Sequence, residues 1–244
     1  MKDYYGRRAR IGLIYMASST VMEPEFYAMA PDGVSIHTTR IHLPEASVAG
    51  LRNMMEGERV EDAACLLSKA PLDVITFGGT SATFLEGLGN DRKVIERIES
   101  ASSGVPGSAT STAAVRALTA LGVKKVSFIG PYISEVTERG RRFFEQCRFE
   151  VTGAHGMEVR SDRDINAISL DETYDFTRRH VEDRADGVFI SCTGLRTVGA
   201  IQALESDLGR PVISAIQATF WDALCIAKVH DVQPGFGSLF NHWV

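Results

Sequence analysis

The sequence has little of what marks a secreted, membrane or nucleic-acid-binding protein. The basic residues near the N-terminus are followed by only about six apolar residues, too few for the hydrophobic region of a signal peptide or for a transmembrane helix. Lysine and arginine occur in short pairs such as Arg7-Arg8, and the net charge is -5. We therefore expect a cytoplasmic protein that binds neither membranes nor nucleic acid.

Pairs of closely spaced metal ligands are also missing. The four cysteines, at positions 65, 147, 192 and 225, form no C-x-x-C pair, which argues against a zinc knuckle or a disulfide framework. The six histidines show no ligand spacing such as H-E-x-x-H. We expect free cytosolic thiols, structural or surface histidines, and no metal.

What the chain does contain is enough apolar sequence for a packed core. It is 44% hydrophobic and 23% charged, which is ordinary for a folded globular protein and excludes a disordered one. Its 244 residues exceed the usual domain size of about 100 to 150 residues, so the length fits one large or two small domains.

Short apolar runs alternate along the chain with helix-length segments. The runs are bounded by glycine, proline or aspartate, as buried parallel strands are, and the segments between them have apolar residues at a spacing near 3.6. This alternation predicts a doubly wound α/β fold. The predicted strands are 11–16, 73–77, 126–129, 187–191 and 211–215, and the predicted helices are 48–67, 93–100, 112–121, 136–147, 171–183 and 198–208.

The order of these elements occurs twice. The run IGLIYMASS at 11 is echoed by VSFIGPYIS at 126, and DVITFGGTSATF at 73 is echoed by DGVFISCTGLRT at 186, with offsets of about 113 to 115 residues. This predicts two similar flavodoxin-like halves, each a short parallel sheet flanked by helices, related by a pseudo-twofold axis. Because ligands bind beyond the carboxyl ends of parallel strands, the loops GGTS and SCTG should face each other across a cleft.

The first of these loops, 78–81, has the composition of an anion-binding loop. A glycine pair after a buried strand, followed by the hydroxyls of Thr80 and Ser81 near a helix start, presents backbone N–H groups and side-chain donors to one point. An ordinary helix N-cap explains the same residues. Tyr132, which follows the strand 126–129, either donates to an oxyanion or is a structural tyrosine at a turn.

The second loop, 191–194, carries a cysteine at the equivalent position. A thiol at a helix N-terminus has its thiolate favoured by the exposed N–H groups and the helix dipole, so Cys192 could exchange a proton near neutral pH. The alternative is a buried, small apolar residue, the usual state of a free cysteine. We assign Cys65, Cys147 and Cys225 to that second class, because each lies within an apparent helix.

With these loops, the chain resembles the arylmalonate decarboxylase and maleate cis-trans isomerase branch of the aspartate/glutamate racemase superfamily over nearly its whole length. The stretches that carry the resemblance are SSTVMEPEF at 18, GGTSATFLEG at 78, GPYISEV at 130, ISCTGLRT at 190 and RPVISAIQATFWDAL at 210. The resemblance implies an active site between the halves and a C-terminal helix that returns to the first half. The implied halves are 1–114 with 220–244, and 115–219.

Within this branch, the cysteine pattern resembles that of the decarboxylase. The racemases and isomerases have a cysteine in each loop, whereas the first position here is Gly79 and Cys192 stands alone. The isomerases also have an asparagine where this chain has Ser19, which argues against isomerase activity. A second asparagine of the isomerases lies in the region of Asn166, so the resemblance implies that Asn166 binds substrate.

The resemblance also implies roles for the two loops, without a cofactor. Thr80, Ser81 and Tyr132, with backbone groups near Cys192 and Thr193, would bind one carboxylate of a malonate in a dioxyanion hole. The other carboxylate would lie in an apolar pocket and leave as CO2, because a carboxylate without partners in an apolar medium is costly. Cys192 would then protonate the enediolate, on one face only.

Two features depart from the decarboxylase pattern. Thr193 follows the cysteine where the decarboxylase reads more like Cys-Gly-Gly, and Arg196 lies three residues further on, either as a helix-surface charge or as a partner for a further carboxylate. The segment 34–43, expected to line the apolar pocket, contains Arg40 and His42.

The sequence therefore predicts a cofactor-independent decarboxylase of a substituted malonate. The alternatives are an enzyme like maleate isomerase or a racemase that acts on a small dicarboxylate, and a dicarboxylate-binding protein without turnover. Monomer and homodimer both fit the sequence.

Overall fold

The computed structural model describes residues 3–43 and 45–244. Within these residues, two separate four-stranded parallel sheets are each flanked by helices. The strands are β1 (Ala9–Met16), β2 (Val34–Ile41), β3 (Val74–Gly78), β4 (Gly107–Ala109), β5 (Lys125–Gly130), β6 (Glu150–Gly156), β7 (Gly187–Ile190) and β8 (Val212–Ser214). The helices are α1 (Met22–Met29), α2 (Val48–Met55), α3 (Arg59–Leu67), α4 (Thr80–Phe84), α5 (Asn90–Ala101), α6 (Thr110–Ala120), α7 (Ser134–Gln146), α8 (Asp162–Ala167), α9 (Leu170–His180), α10 (Val198–Leu208) and α11 (Ala215–Ile226), followed by a short 3-10 helix, Leu239–Asn241.

The two sheets repeat one plan. The strand order is β2-β1-β3-β4 in the first sheet and β6-β5-β7-β8 in the second, and each neighbouring pair is parallel. Strands β3 and β7 are buried along their whole length, as expected for strands whose two faces are both covered by helices. The predicted α/β fold with two similar halves is confirmed. No helix of the described chain is long and apolar enough to cross a membrane.

Several elements differ from the sequence prediction, among them strands β2 and β6 and helices α1 and α8, which were not predicted, and one predicted helix that is divided. Strands β2 and β6 were not predicted, because each lies at a sheet edge, is partly exposed and therefore lacks a continuous apolar run. The single helix predicted over 48–67 is two helices, α2 and α3. Gly57, between them, has a φ of 70°, a left-handed conformation that glycine adopts readily and that ends a helix.

Helix α11 packs against the first half although it follows the last strand of the second. It contacts α1, α6 and β3, and the rings of Phe220 and Phe26 lie 4.8 Å apart. The buried carboxylate of Asp222 forms an ion pair with Arg116 at 2.5 Å and accepts a hydrogen bond from Ser108 at 2.6 Å. These contacts agree with the expected return of the C-terminal helix, while the exact limits of the halves stay a prediction.

A second connection between the halves is made by Glu25 of α1. Its carboxylate accepts hydrogen bonds from the backbone N–H groups of Thr197, at 2.6 Å, and Val198, at 3.2 Å, and from the Thr197 hydroxyl at 3.0 Å. Glu25 therefore caps the N-terminus of α10, whose own N-cap residue makes no side-chain cap. Burial raises the pKa of Glu25 to about 7, against the opposing effect of these hydrogen bonds.

The raised pKa of Glu25 predicts a pH-dependent stability. A carboxyl group whose pKa is higher in the folded than in the unfolded state contributes most below its unfolded pKa and loses that contribution as the pH rises through 7. Glu25→Gln does not titrate. Between pH 5 and pH 8 the free energy of unfolding of the wild type should fall by about 1 to 3 kcal/mol relative to the variant, measured by urea denaturation. A constant difference between the two proteins would contradict this account.

Candidate active site

The pocket between the two halves is lined by segments that follow the central strands of both sheets. The loops after β3 and β7 face each other, as predicted, and contribute Gly79, Thr80 and Cys192. The two loops are in direct contact, because the Thr193 hydroxyl donates a hydrogen bond to the carbonyl oxygen of Gly78 at 2.9 Å. The site is therefore assembled only when the halves are docked.

The first loop presents a buried hydroxyl without a partner. Helix α4 begins at Thr80. The hydroxyl of Thr80 is buried near the Tyr132 phenol, but no partner among the described residues has good hydrogen-bond geometry with it. The Ser81 side chain also lines the pocket, and the first N–H groups of a helix have no partners within it. This end of the pocket is thus rich in donors that a bound anion could satisfy.

Gly79 leaves no room for a side chain opposite the cysteine. A Cβ atom at this position would lie 2.6 Å from the ring of Phe77 and 3.0 Å from the terminal methyl group of Met16. Any larger residue therefore requires the Phe77 ring or Met16 to move.

Tyr132 contributes a second donor from the other half. Its side chain is buried, and its hydroxyl forms a hydrogen bond of 3.2 Å with the hydroxyl of Ser191. Burial raises the pKa of Tyr132 well above the usual range, and the neighbouring Cys192 adds to the effect. The phenol therefore stays protonated and can donate a hydrogen bond to an oxyanion.

Cys192 lies in a buried loop and not at a helix N-terminus. Helix α10 begins only at Val198, and its free N–H groups are taken up by Glu25. Burial raises the pKa of Cys192 to about 12, and the nearby Asp162 charge adds to it, although the Gly194 N–H, 3.4 Å from Sγ, lowers it. Hydrogen bonds from the Leu195 N–H and the Tyr132 hydroxyl lower the pKa as well. The expectation of a stabilised thiolate was wrong, because desolvation outweighs these donors, and Cys192 is a protonated thiol near neutral pH.

The backbone at Cys192 is also unusual. Its φ of 95° lies in a region that residues other than glycine rarely adopt, at a cost of about 1 to 3 kcal/mol. The loop is held by the Ser191 N–H, which donates to the carbonyl of Ile129 at 2.7 Å. This conformation places the thiol in the pocket.

The remaining predicted binding residues have different positions. Ser19 is buried and lines the pocket. The hydroxyl of Thr193 is occupied by Gly78, as described above, but the residue lines the pocket. Asn166 does not line it: its side-chain oxygen accepts from the Thr20 N–H at 2.9 Å, and its amide donates to the backbone oxygen of Asp162 at 2.5 Å. Asn166 therefore positions the Ser19 loop.

The charged residues that the sequence left unassigned lie outside the pocket. Arg40 donates hydrogen bonds to the carbonyl oxygens of Ala17, at 3.2 Å, and Ser19, at 3.1 Å. It therefore stabilises the loop that carries Ser19 and does not line the pocket. His42 lines a different surface cavity, and Arg196 is exposed. The segment 34–43 was expected to line the apolar pocket. Leu43 is its only member among the described residues that do so.

Two parts of the pocket were missed by sequence reasoning. One is its apolar wall, formed by Met16, Leu43, Ala46, Leu51, Met54 and Ile165. The other is Asp162, at the start of α8. In the sequence, SDRDIN is typical of a solvated helix start after a serine N-cap, so nothing in one sequence distinguishes Asp162 from an exposed residue.

The other cysteines lie away from this pocket. Cys225 is buried in α11, as expected, and Cys147 is half-buried. Cys65 is exposed, so its assignment as a buried residue was wrong. In the described ranges, no group of three or more histidine, cysteine, aspartate or glutamate side chains is arranged to hold a metal ion.

Comparison with known proteins agrees with the geometry of the site. The arylmalonate decarboxylase family model matches residues 11–240. The arylmalonate decarboxylase of Bordetella bronchiseptica is 33% identical over 187 residues, which cover 75% of this chain and 78% of that protein. The maleate isomerase of Geobacillus stearothermophilus is 26% identical over 245 residues, covering 95% and 97%. A crystal structure of an arylmalonate decarboxylase double mutant in the liganded form superposes with a TM-score of 0.88 at 28% identity, covering 96% and 99%. This chain belongs to the arylmalonate decarboxylase family, a branch of the aspartate/glutamate racemase superfamily that includes relatives named as decarboxylases and as maleate isomerases.

Proposed function

We propose that the protein is a cofactor-independent decarboxylase of a substituted malonate. The observation that carries the proposal is the single protonated thiol of Cys192, with Gly79 at the matching position of the other loop. A neutral thiol can donate the proton that follows decarboxylation. A two-base racemase would need a second acid or base on the opposite face, where this chain has Gly79. The 33% identity to a decarboxylase supports the same reaction class.

One carboxylate of the malonate binds to the donors of the two loops. The Thr80 hydroxyl is unpaired and buried, and the neutral Tyr132 phenol lies beside Ser191. These groups, with Ser81 and the first N–H groups of α4, form a preorganised oxyanion site. Each such donor contributes about 3 kcal/mol to stabilising the developing enediolate.

The second carboxylate leaves as CO2 from the less polar side of the pocket. The apolar wall defined above offers no donor to that carboxylate, so its charge is poorly solvated before the reaction. When its bond to C2 breaks, the electron pair passes into the enediolate and the charge moves to the donors of the first site. Cys192 then gives its proton to C2, and the thiolate regains a proton from water.

A maleate isomerase-like reaction is the second candidate. Its support is the coverage of 95% of this chain by a maleate isomerase, against 75% by the decarboxylase. In that reaction, Cys192 or a hydroxyl of the first loop would have to replace the second thiol. A decarboxylase releases CO2, whereas an isomerase gives a product of the same mass as its substrate. A binding protein converts neither compound and shows only ligand-dependent stabilisation.

Release of CO2 from α-methyl-α-phenylmalonate by the purified protein, without added metal or cofactor, tests the proposed reaction. We expect release by the wild type, and a fall in kcat of at least about 100-fold in Cys192→Ala, because that variant lacks the proton donor. Cys225→Ala is the matched control, since it removes a buried thiol that lies in α11, outside the pocket. Conversion of maleate without CO2 release would instead support the isomerase.

Substitution of two threonines of α4 separates catalysis from stability. Thr80→Val should lower kcat by about 100-fold to 1,000-fold, yet leave the free energy of unfolding unchanged or slightly higher, because the lost hydroxyl has no partner. Thr83→Val should leave kcat nearly unchanged and lower the free energy of unfolding. Its hydroxyl bonds Ser111 at 2.6 Å and the Gly79 carbonyl at 3.0 Å, so about 1 to 2 kcal/mol of stability is lost.

Steady-state kinetics and urea denaturation of the two variants measure both effects. Equal loss of activity in Thr80→Val and Thr83→Val would show that the Thr80 hydroxyl has no special role.

A further inference from the structure

Asp162 introduces a negative charge into the wall of the substrate pocket. Among the described residues that line the pocket, it is the only aspartate, glutamate, lysine or arginine. Its Oδ2 atom accepts a hydrogen bond from Ser18, and a Cβ atom placed on Gly194 would stand 3.5 Å from Oδ1. The carboxyl group thus lies against the loop that holds Cys192.

The electrostatic coupling between Asp162 and the cysteine shows the same proximity. The charge of Asp162 helps to raise the pKa of Cys192, and burial raises the pKa of Asp162 itself. Asp162 is therefore a partly desolvated carboxyl group beside the thiol. Such a group requires hydrogen-bond donors, and further desolvation by an apolar ligand without a donor carries a free-energy cost.

The position relative to Cys192 indicates which part of the substrate meets Asp162. This step rests on the proposed function, in which the thiol protonates C2 and so lies beside that atom. The carboxylate that remains is held by Thr80 and Tyr132, so Asp162 meets a substituent of C2. A second anion there is repelled, and a methyl group displaces water from the Asp162 carboxylate without adding a donor to the one from Ser18.

We propose that Asp162 is a specificity-determining residue that selects malonates with a hydrogen-bond donor, a hydroxyl or an amino group, on C2. The donor forms a charge-assisted hydrogen bond with the Asp162 carboxylate, which a methyl group of similar size cannot form. A carboxylate oxygen that the ligand desolvates without donating to it disfavours the analogue that lacks the donor.

The test compares ligands that differ only in this group and cannot lose CO2. Mandelate and 2-phenylpropionate carry a hydroxyl and a methyl group on the same carbon, so calorimetric binding of their pure enantiomers isolates the donor. The wild type should bind the preferred enantiomer of mandelate at least about tenfold more tightly than the matching 2-phenylpropionate. Asp162→Val should abolish or reverse this ratio.

Two further variants separate specificity from structure. Asp162→Asn can still accept the Ser18 hydrogen bond and a weaker one from the ligand, so it should keep part of the preference even where Asp162→Val lowers stability. Asp164→Asn, an exposed position of the same helix, should leave the ratio unchanged. An unchanged ratio in both Asp162 variants, a wild-type preference for 2-phenylpropionate, or no binding of either acid would overturn the inference.

Turnover of the corresponding malonates distinguishes this inference from the proposed reaction. CO2 release from α-hydroxy-α-phenylmalonate and α-methyl-α-phenylmalonate at a ratio that Asp162→Val leaves unchanged would remove the role of Asp162 and keep the decarboxylase. A binding preference that depends on Asp162, without CO2 release from either malonate, would keep the selectivity of the pocket and remove the decarboxylase.

Discussion

Burial of the Cys192 thiol between two docked halves is the constraint on which the chemistry of this site depends. In water a thiol would be partly ionised near pH 8.5, whereas burial raises the pKa of Cys192 to about 12. A buried proton donor is suited to protonating a carbanion or enediolate, since its own charged form is disfavoured until a proton acceptor is present. The thiolate that remains after the transfer is unstable in the same environment, so it regains a proton readily.

Contacts between the halves maintain this burial. Thr193 reaches across to the carbonyl of Gly78, Glu25 caps α10 from the opposite half, and α11 returns to the first half through Asp222. The backbone N–H groups of Gly194 and Leu195 favour the Cys192 thiolate, but their effect is too small to offset desolvation.

The sequence predicted the parts of the fold that local pattern determines. Strands such as β3 and β7 are buried on both faces, so each is a continuous apolar run bounded by polar residues. The edge strands β2 and β6 are partly exposed and carry no such run. The repeated order of elements predicted correctly that the loops of Gly79 and Cys192 face each other, because a repeat places equivalent loops at equivalent strand ends.

The environment of the site could not be predicted in the same way. The ionisation of Cys192 depends on Tyr132 and Asp162, which are distant in sequence, and on burial between the two halves. Asp162 follows a serine N-cap and has the sequence context of a solvated residue. Asn166 lies in the region where the resemblance implies a substrate-binding asparagine, but its side chain bonds Thr20 and the backbone of Asp162. Side-chain direction and tertiary neighbours decide these roles.

In the proposed reaction, one thiol delivers a proton to one face of the intermediate, while Gly79 leaves the opposite face without a proton donor. The most direct measurement is the enantiomeric composition of the 2-phenylpropionate formed from prochiral α-methyl-α-phenylmalonate. We expect a single enantiomer, because Cys192 would reach C2 from one side only. A racemic product would contradict it, since the proton would then come from solvent or from both faces of the site.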